Sequence, residues 1–146
     1  MAKGHASLMF CVLALAACAP KPLVITDSGE EFLLPASVNG TSANFAVDTG
    51  ATMVVIPRNT LLTMGIGPQD GNGMVALSQM ADGQVLPEPI VTVPEIDVGP
   101  CKLKNVQVIA ADNGFDPLFG LDGLEQLHIE LHGKKMAISC ESGGQA

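Results

Sequence analysis

The chain has 146 residues, 47% of them hydrophobic and only 3% aromatic, with a formal charge of -8 at pH 7. That is enough for one domain with a real core and too little for two. The acidic balance repels phosphate backbones, and the absence of Trp and Tyr removes the stacking platforms that bases need, so nucleic acid is excluded as a partner.

At the N-terminus Lys3 precedes an apolar run from Ala6 to Ala19, broken only by Ser7, and Pro20 follows. The run is too short to span a bilayer, which takes about 20 apolar residues, and has the shape of a secretory signal. Leu15-Ala16-Ala17-Cys18 resembles the lipobox of bacterial lipoproteins, in which the Cys is acylated and becomes the new N-terminus. A plain signal peptide cleaved near Ala17 or Ala19 is the alternative, and either route leads out of the cytoplasm. The lipobox reading makes residues 1–17 a signal peptide and Cys18 the lipidation site that anchors the protein to a membrane. Small residues rather than an acid follow the Cys, which by resemblance implies the outer membrane of a bacterial envelope, facing the periplasm. Cys11 then leaves with the signal, and Cys101 and Cys140 remain in an oxidising compartment. One disulfide between them is suggested, with two buried free thiols as the alternative.

Residues 18–30 read as a tether: Pro20 and Pro22 stiffen it, and Asp27-Ser28-Gly29 breaks any regular pattern. The folded domain is expected over residues 31–141, with 142–146 as a flexible tail. Within it, short β-type runs alternate with turn residues: "EFLLPASV", the hairpin turn "NGTS", "ANFAV" and "TMVVIP". "RNTLLTMGIG" predicts one or two helical turns capped by Asn59 or Thr60. Strands follow in "GMVALSQMADGQVLPEPIVTVPEIDVG" and "KLKNVQVIA", then the loop "ADNGFDP" and a short helix beginning near Asp122. "HIEL" and "KMAI" around Gly133 form a closing hairpin. The class is all-β, a partly closed barrel with one or two short helices.

Several motifs carry little. His128 and His132 are four apart on a strand with no third ligand near in sequence, so no metal is expected. Gly65-Ile66-Gly67 does not open a strand-helix unit, and "DGNG" at residues 70 to 73 lacks the rest of a calcium loop. No cofactor is expected.

"NFAVDTGATMVVIP", residues 44 to 57, sets Asp48 between two apolar runs, where a carboxylate costs too much unless it is hydrogen-bonded or has chemical work. Thr49 and Gly50 supply a hydroxyl and a flexible residue for a tight loop. The tripeptide alone fits an ordinary turn equally well. The apolar-apolar-Asp-Thr-Gly-Ala pattern followed by an apolar strand, with Leu118-Phe119-Gly120-Leu121-Asp122 roughly seventy residues on, closely resembles the retroviral-type (retropepsin-like) aspartyl proteases. The spacing is closest to their periplasmic bacterial branch. The resemblance covers residues 31 to 140 and implies the acid-protease barrel, with "SQMADGQV" as the flap hairpin.

It also implies roles. Asp48 would be the catalytic acid or base, Thr49 would bond across a dimer, and Gly50 would let backbone approach substrate. Ala51 would leave room beside the dyad, and Ala81, Asp82 and Gly83 at the flap tip would contact substrate. Leu118, Phe119 and Gly120 would support the Asp48 loop. The chemistry needs two carboxylates sharing one proton, and the sequence holds a single Asp-Thr-Gly, so a homodimer is implied. The implied activity is an envelope-anchored aspartic endopeptidase acting on extended peptides. The alternative is an inactive lipoprotein using the same barrel as a peptide-binding or assembly module. Two positions depart from the family pattern: Gly123 replaces a large apolar residue and is expected to weaken the supporting helix, and Asp82 puts an acid where a neutral Asn is usual.

Overall fold

A computed structural model describes residues 20–140 except Glu30, Ala81 and Asn113. The expected signal peptide, Cys18, Ala81 and the tail 142–146 lie outside the described residues. Ten strands and two short helices follow one another: β1 Leu23–Thr26, β2 Leu33–Val38, β3 Thr41–Val47, β4 Val54–Pro57, α1 Arg58–Thr63, β5 Gly71–Gln79, β6 Val85–Val98, β7 Cys101–Ala111, β8 Leu118–Phe119, α2 Leu121–Leu124, β9 Leu127–His132 and β10 Lys135–Cys140. Among the described residues no helix is long and apolar enough to cross a membrane.

The larger sheet runs β2-β3-β8-β4-β7-β6-β5, and a further pairing of Ser37 and Val38 with Asp97 and Ile96 joins β2 back to β6. Six strands thus close into a ring, and β5 hangs from β6 as the outer strand of a hairpin. This is the partly closed all-β barrel that the turn-punctuated apolar runs imply. The turn Asn39-Gly40 places both residues at positive φ (49° and 82°), as a two-residue hairpin needs, and holds Leu34 opposite Phe45. The interior is packed by Phe45, Phe119, Leu34, Val54, Ile56, Val93, Ile96 and Val108, all fully buried. Phe45 and Phe119 meet edge to face, with ring centroids 5.6 Å apart at 85°.

Two expectations are corrected here. The tether does not extend to residue 30, because Leu23–Thr26 is a strand paired antiparallel with β10, Leu23 opposite Ile138 and Ile25 opposite Met136. The alternation in Leu-Val-Ile-Thr buries Ile25 on the core side, and that apolar contact outweighs the breakers on either side. With the expected β9–β10 hairpin (Leu131 opposite Met136, Ile129 opposite Ile138), β1 completes a separate three-stranded sheet. Helix α1 is capped by Pro57, and neither Asn59 nor Thr60 serves as its N-cap. Pro57 has φ -58° and ψ 142°, extended backbone from which the helix starts with no side-chain capping bond.

Candidate active site

Strands β3 and β4 belong to one sheet without pairing with each other, because the two residues of β8 lie between them. Ala46 and Val47 pair in parallel with Leu118 and Phe119, while Val55 pairs with Leu118 on the other side. The chain leaving β3 must therefore cross the end of β8 to reach β4, and residues 48–53 make that crossing. Asp48 opens the loop with its N–H donated to the Phe119 carbonyl (3.2 Å). One carboxylate oxygen, Oδ1, accepts the Gly50 N–H at 2.8 Å, and the Asp48 carbonyl accepts the Ala51 N–H at 3.2 Å. A Cβ at Gly50 would stand 3.1 Å from that same Oδ1, so glycine leaves the carboxylate its place. Thr49 is exposed, and its hydroxyl has no partner among the described residues.

The second motif holds this loop from beneath through backbone. Leu121 N–H donates to the Ala51 carbonyl (2.9 Å) and Asp122 N–H to the Thr52 carbonyl (3.0 Å). In return, Val54 N–H donates to the Asp122 carboxylate at 2.9 Å. Such an approach admits no side chain between the two segments. A Cβ on Gly120 would lie 2.2 Å from the Met53 carbonyl oxygen and 2.8 Å from that of Ala51. Burial pushes the Asp122 carboxyl above its ordinary range, and the Val54 and Gly123 N–H groups pull against that shift. Phe119 is buried beneath the loop and Leu118 is half-buried.

Gly123, expected to weaken the supporting helix, is closely surrounded in the fold. It is buried, and a Cβ there would meet the Phe119 ring at 2.7 Å and the Val54 side chain at 2.8 Å. The large apolar volume at this point comes from Phe119, and glycine is what lets α2 close onto it. No sequence pattern announces this exchange, which depends on two residues four apart meeting across a turn.

The β5–β6 hairpin ends at residues 80–84. Gly83 has φ +85°, its N–H reaches the Met80 carbonyl, and Met80 N–H reaches the Gln84 carbonyl (both 2.8 Å). Asp82 has a local reason to be there: its carboxylate accepts the Gln84 N–H at 3.0 Å and so folds the tip. An apolar cavity of about 270 Å³ lies at the base of this hairpin, lined by Leu61, Ile66, Met74 and Val91 among others. None of its lining residues belongs to the Asp48 loop or to residues 118–122, so it is separate from the candidate site.

Among the described residues no group of three His, Cys, Asp or Glu side chains could hold a metal ion. His128 and His132 both face Glu130, each with Nε2 3.3 Å from its carboxylate, on the exposed side of β9. Cys101 and Cys140 form a disulfide pair with Cα atoms 5.2 Å apart, tying the start of β7 to the last strand. The sequence reading missed Glu88, which is only 3% exposed and accepts the Asp112 N–H at 3.2 Å. Its place between Pro87 and Pro89, followed by the apolar pair Ile90-Val91, was the available signal.

A family model described as "Aspartyl protease" matches residues 34–123. Among solved structures, a retropepsin-like aspartic protease from Rickettsia conorii is similar over 80% of this chain and 89% of its own, with a TM-score of 0.67 at 17% identity. The retroviral protease-like domain of Ddi1 from Leishmania major has a TM-score of 0.48 at 18% identity, covering 77% of this chain and 97% of its own. The Simian Foamy Virus (mac) protease has a TM-score of 0.47 at 18% identity, with 64% and 91% covered. No curated protein matches the sequence.

Proposed function

Since the chain belongs to the aspartyl protease family whose model spans residues 34–123, we propose that it is an aspartic endopeptidase whose active site forms between two copies of itself. The observation that carries this reading is the Asp48 loop. Its carboxylate is held at one oxygen by the Gly50 N–H, its base is clasped by β8 and α2, and the exposed Thr49 beside it has no partner among the described residues. One subunit offers one such acid. Two subunits related by a two-fold axis would bring the two Asp48 carboxylates close enough to share a proton, since like charges about 3 Å apart do not both ionise. Thr49 of each would bond across the axis.

In that dyad the ionised carboxylate takes a proton from water as the water oxygen attacks the peptide carbonyl carbon, while the protonated one gives its proton to the carbonyl oxygen. The tetrahedral gem-diol then collapses: the carboxylate now ionised takes one hydroxyl proton, the C–N bond breaks, and the other carboxyl passes its proton to the leaving nitrogen, which restores the singly protonated dyad. Gly50 and Ala51 keep the approach open, and the hairpin tip, Ala81 with Asp82 and Gly83, would close over an extended peptide that adds as a strand. We further propose that acylated Cys18 anchors the enzyme on the periplasmic side of the outer membrane.

A mass-spectrometric peptide-library digest at pH 4 to 7 tests the activity, run beside the Asp48→Asn form. Cleavage products present with the native chain and absent with the variant are expected. No products at any pH would favour the binding module over the protease.

A further inference from the structure

Glu88 is the one buried charged side chain among the described residues, and the proposed chemistry gives it no task. Its position is particular. Strand β6 pairs with β7 from Ile90 onward, whereas residues 85–89 pair with β5 alone, so Glu88 stands where the hairpin leaves the barrel. Pro87 and Pro89 on either side fix φ and offer no N–H, which stiffens this junction. The Glu88 carboxylate accepts the N–H of Asp112, the first residue after β7. Asp112 is held a second time, by an ion pair of its carboxylate with Arg58 at 3.0 Å, and the Arg58 Nε–H donates to the Ala110 carbonyl at 3.0 Å. The chain that starts at Asp112 leads to Phe115, half exposed, and then to Pro117, whose carbonyl accepts the Ala46 N–H just before Asp48.

We infer that Glu88 is a positioning residue that latches the flap-like hairpin to the segment following β7, so that the hairpin and the segment leading to Pro117 hold one relative geometry. This rests on the protease reading for its consequence, though the latch itself is a contact between two named groups. A buried carboxylate with its accepted N–H is kept because removing it leaves the Asp112 N–H in a part-buried place without an acceptor, a loss larger than the bond is worth net. The exposed Arg58–Asp112 pair contributes little beside it.

The test compares Glu88→Leu, which keeps the volume and removes the acceptor, with Glu88→Gln, which keeps an acceptor oxygen. Hydrogen exchange at the Asp112 amide reads the latch, and peptide kinetics read its effect. The Leu form is expected to exchange about tenfold faster at Asp112, the scale of one charge-assisted bond, and to raise KM about as much while kcat changes less. The Gln form is expected to stay within about twofold of wild type in both. Glu88→Met fills the same space and takes the place of the Leu form if that form does not fold. Exchange at Asp112 unchanged in the Leu or Met form, or the Gln form as damaged as either, overturns the latch. Absence of cleavage by the wild-type chain would instead count against the protease reading, and the exchange measurement would still decide the latch.

Discussion

Replacing Gly120 by alanine adds one methyl group where the structure has no room for one. Gly120 has φ -82° and ψ -178°, which alanine adopts freely, so any effect is steric. The new Cβ would lie 2.2 Å from the Met53 carbonyl oxygen, 2.6 Å from its carbon and 2.8 Å from the Ala51 carbonyl oxygen. All three are backbone, which cannot swing aside as a side chain can. The Asp48 loop must lift from β8 and α2, giving up the Leu121–Ala51, Asp122–Thr52 and Val54–Asp122 hydrogen bonds. Two neutral bonds at about 1 kcal/mol each and one to a carboxylate at about 2 kcal/mol give a loss of about 4 kcal/mol. Alanine also removes about 0.7 kcal/mol of freedom from the unfolded chain, leaving a net loss of about 3 kcal/mol. For a domain of this size that lowers Tm by about 12 °C. Gly123→Ala is the internal comparison: the atoms nearest its Cβ belong to the Phe119 ring and a Val54 methyl, side chains that can repack for about 1 to 2 kcal/mol. Thermal and urea unfolding followed by circular dichroism measures both. A Gly120→Ala loss under about 1 kcal/mol, or one smaller than that of Gly123→Ala, would show that the clasp yields and that the rigid-support argument is wrong.

Asp122→Asn keeps an acceptor for Val54 N–H and removes the charge that burial disfavours, the cause that holds this carboxyl above the ordinary carboxylate range. A raised folded pKa means the native state binds the proton more tightly, so wild type loses stability as pH rises from the ordinary carboxylate range through the raised folded pKa; the Tm advantage of the Asn form should grow over the same range and be absent at pH 3. Cys140→Ser opens a closure of 39 residues and should lower stability by about 4 kcal/mol, and non-reducing peptide mapping should recover Cys101 and Cys140 linked. Two alkylatable thiols in the native protein would contradict the bridge. Cys18→Ser should move the protein from the detergent-extracted membrane fraction to the soluble periplasmic one, and unchanged membrane retention would remove the lipid anchor from the account.

Much of the barrel was legible because its strands are rich in apolar residues and separated by residues with strong turn chemistry. Asn39-Gly40 and Gly133 marked hairpins that the structure contains, and Asp48-Thr49-Gly50 with Leu118-Phe119-Gly120 marked the two segments that meet. What was not legible depends on contacts across distance. Leu23–Thr26 is too short to read as a strand between prolines and an Asp-Ser-Gly turn, and only its pairing with β10 makes it one. Gly123 reads locally as a weak helix residue, and only the Phe119 ring against it gives it a purpose. Glu88 passes for one polar residue in a strand, and its bond with the Asp112 N–H joins residues 24 apart in the chain.

The central claim, a protease whose site needs Asp48 from two subunits, is tested most directly by sedimentation and peptide cleavage run on one dilution series, with Asp48→Asn alongside. Cleavage per subunit should fall in step with the dimer fraction and vanish in the monomer range, and a hydroxyl-bearing transition-state mimic should hold the dimer together to lower concentration. Wild type mixed with excess Asp48→Asn should lose nearly all activity, because each mixed dimer has one carboxylate too few. Cleavage per subunit that stays constant into the monomer range, or that survives Asp48→Asn, would contradict the claim.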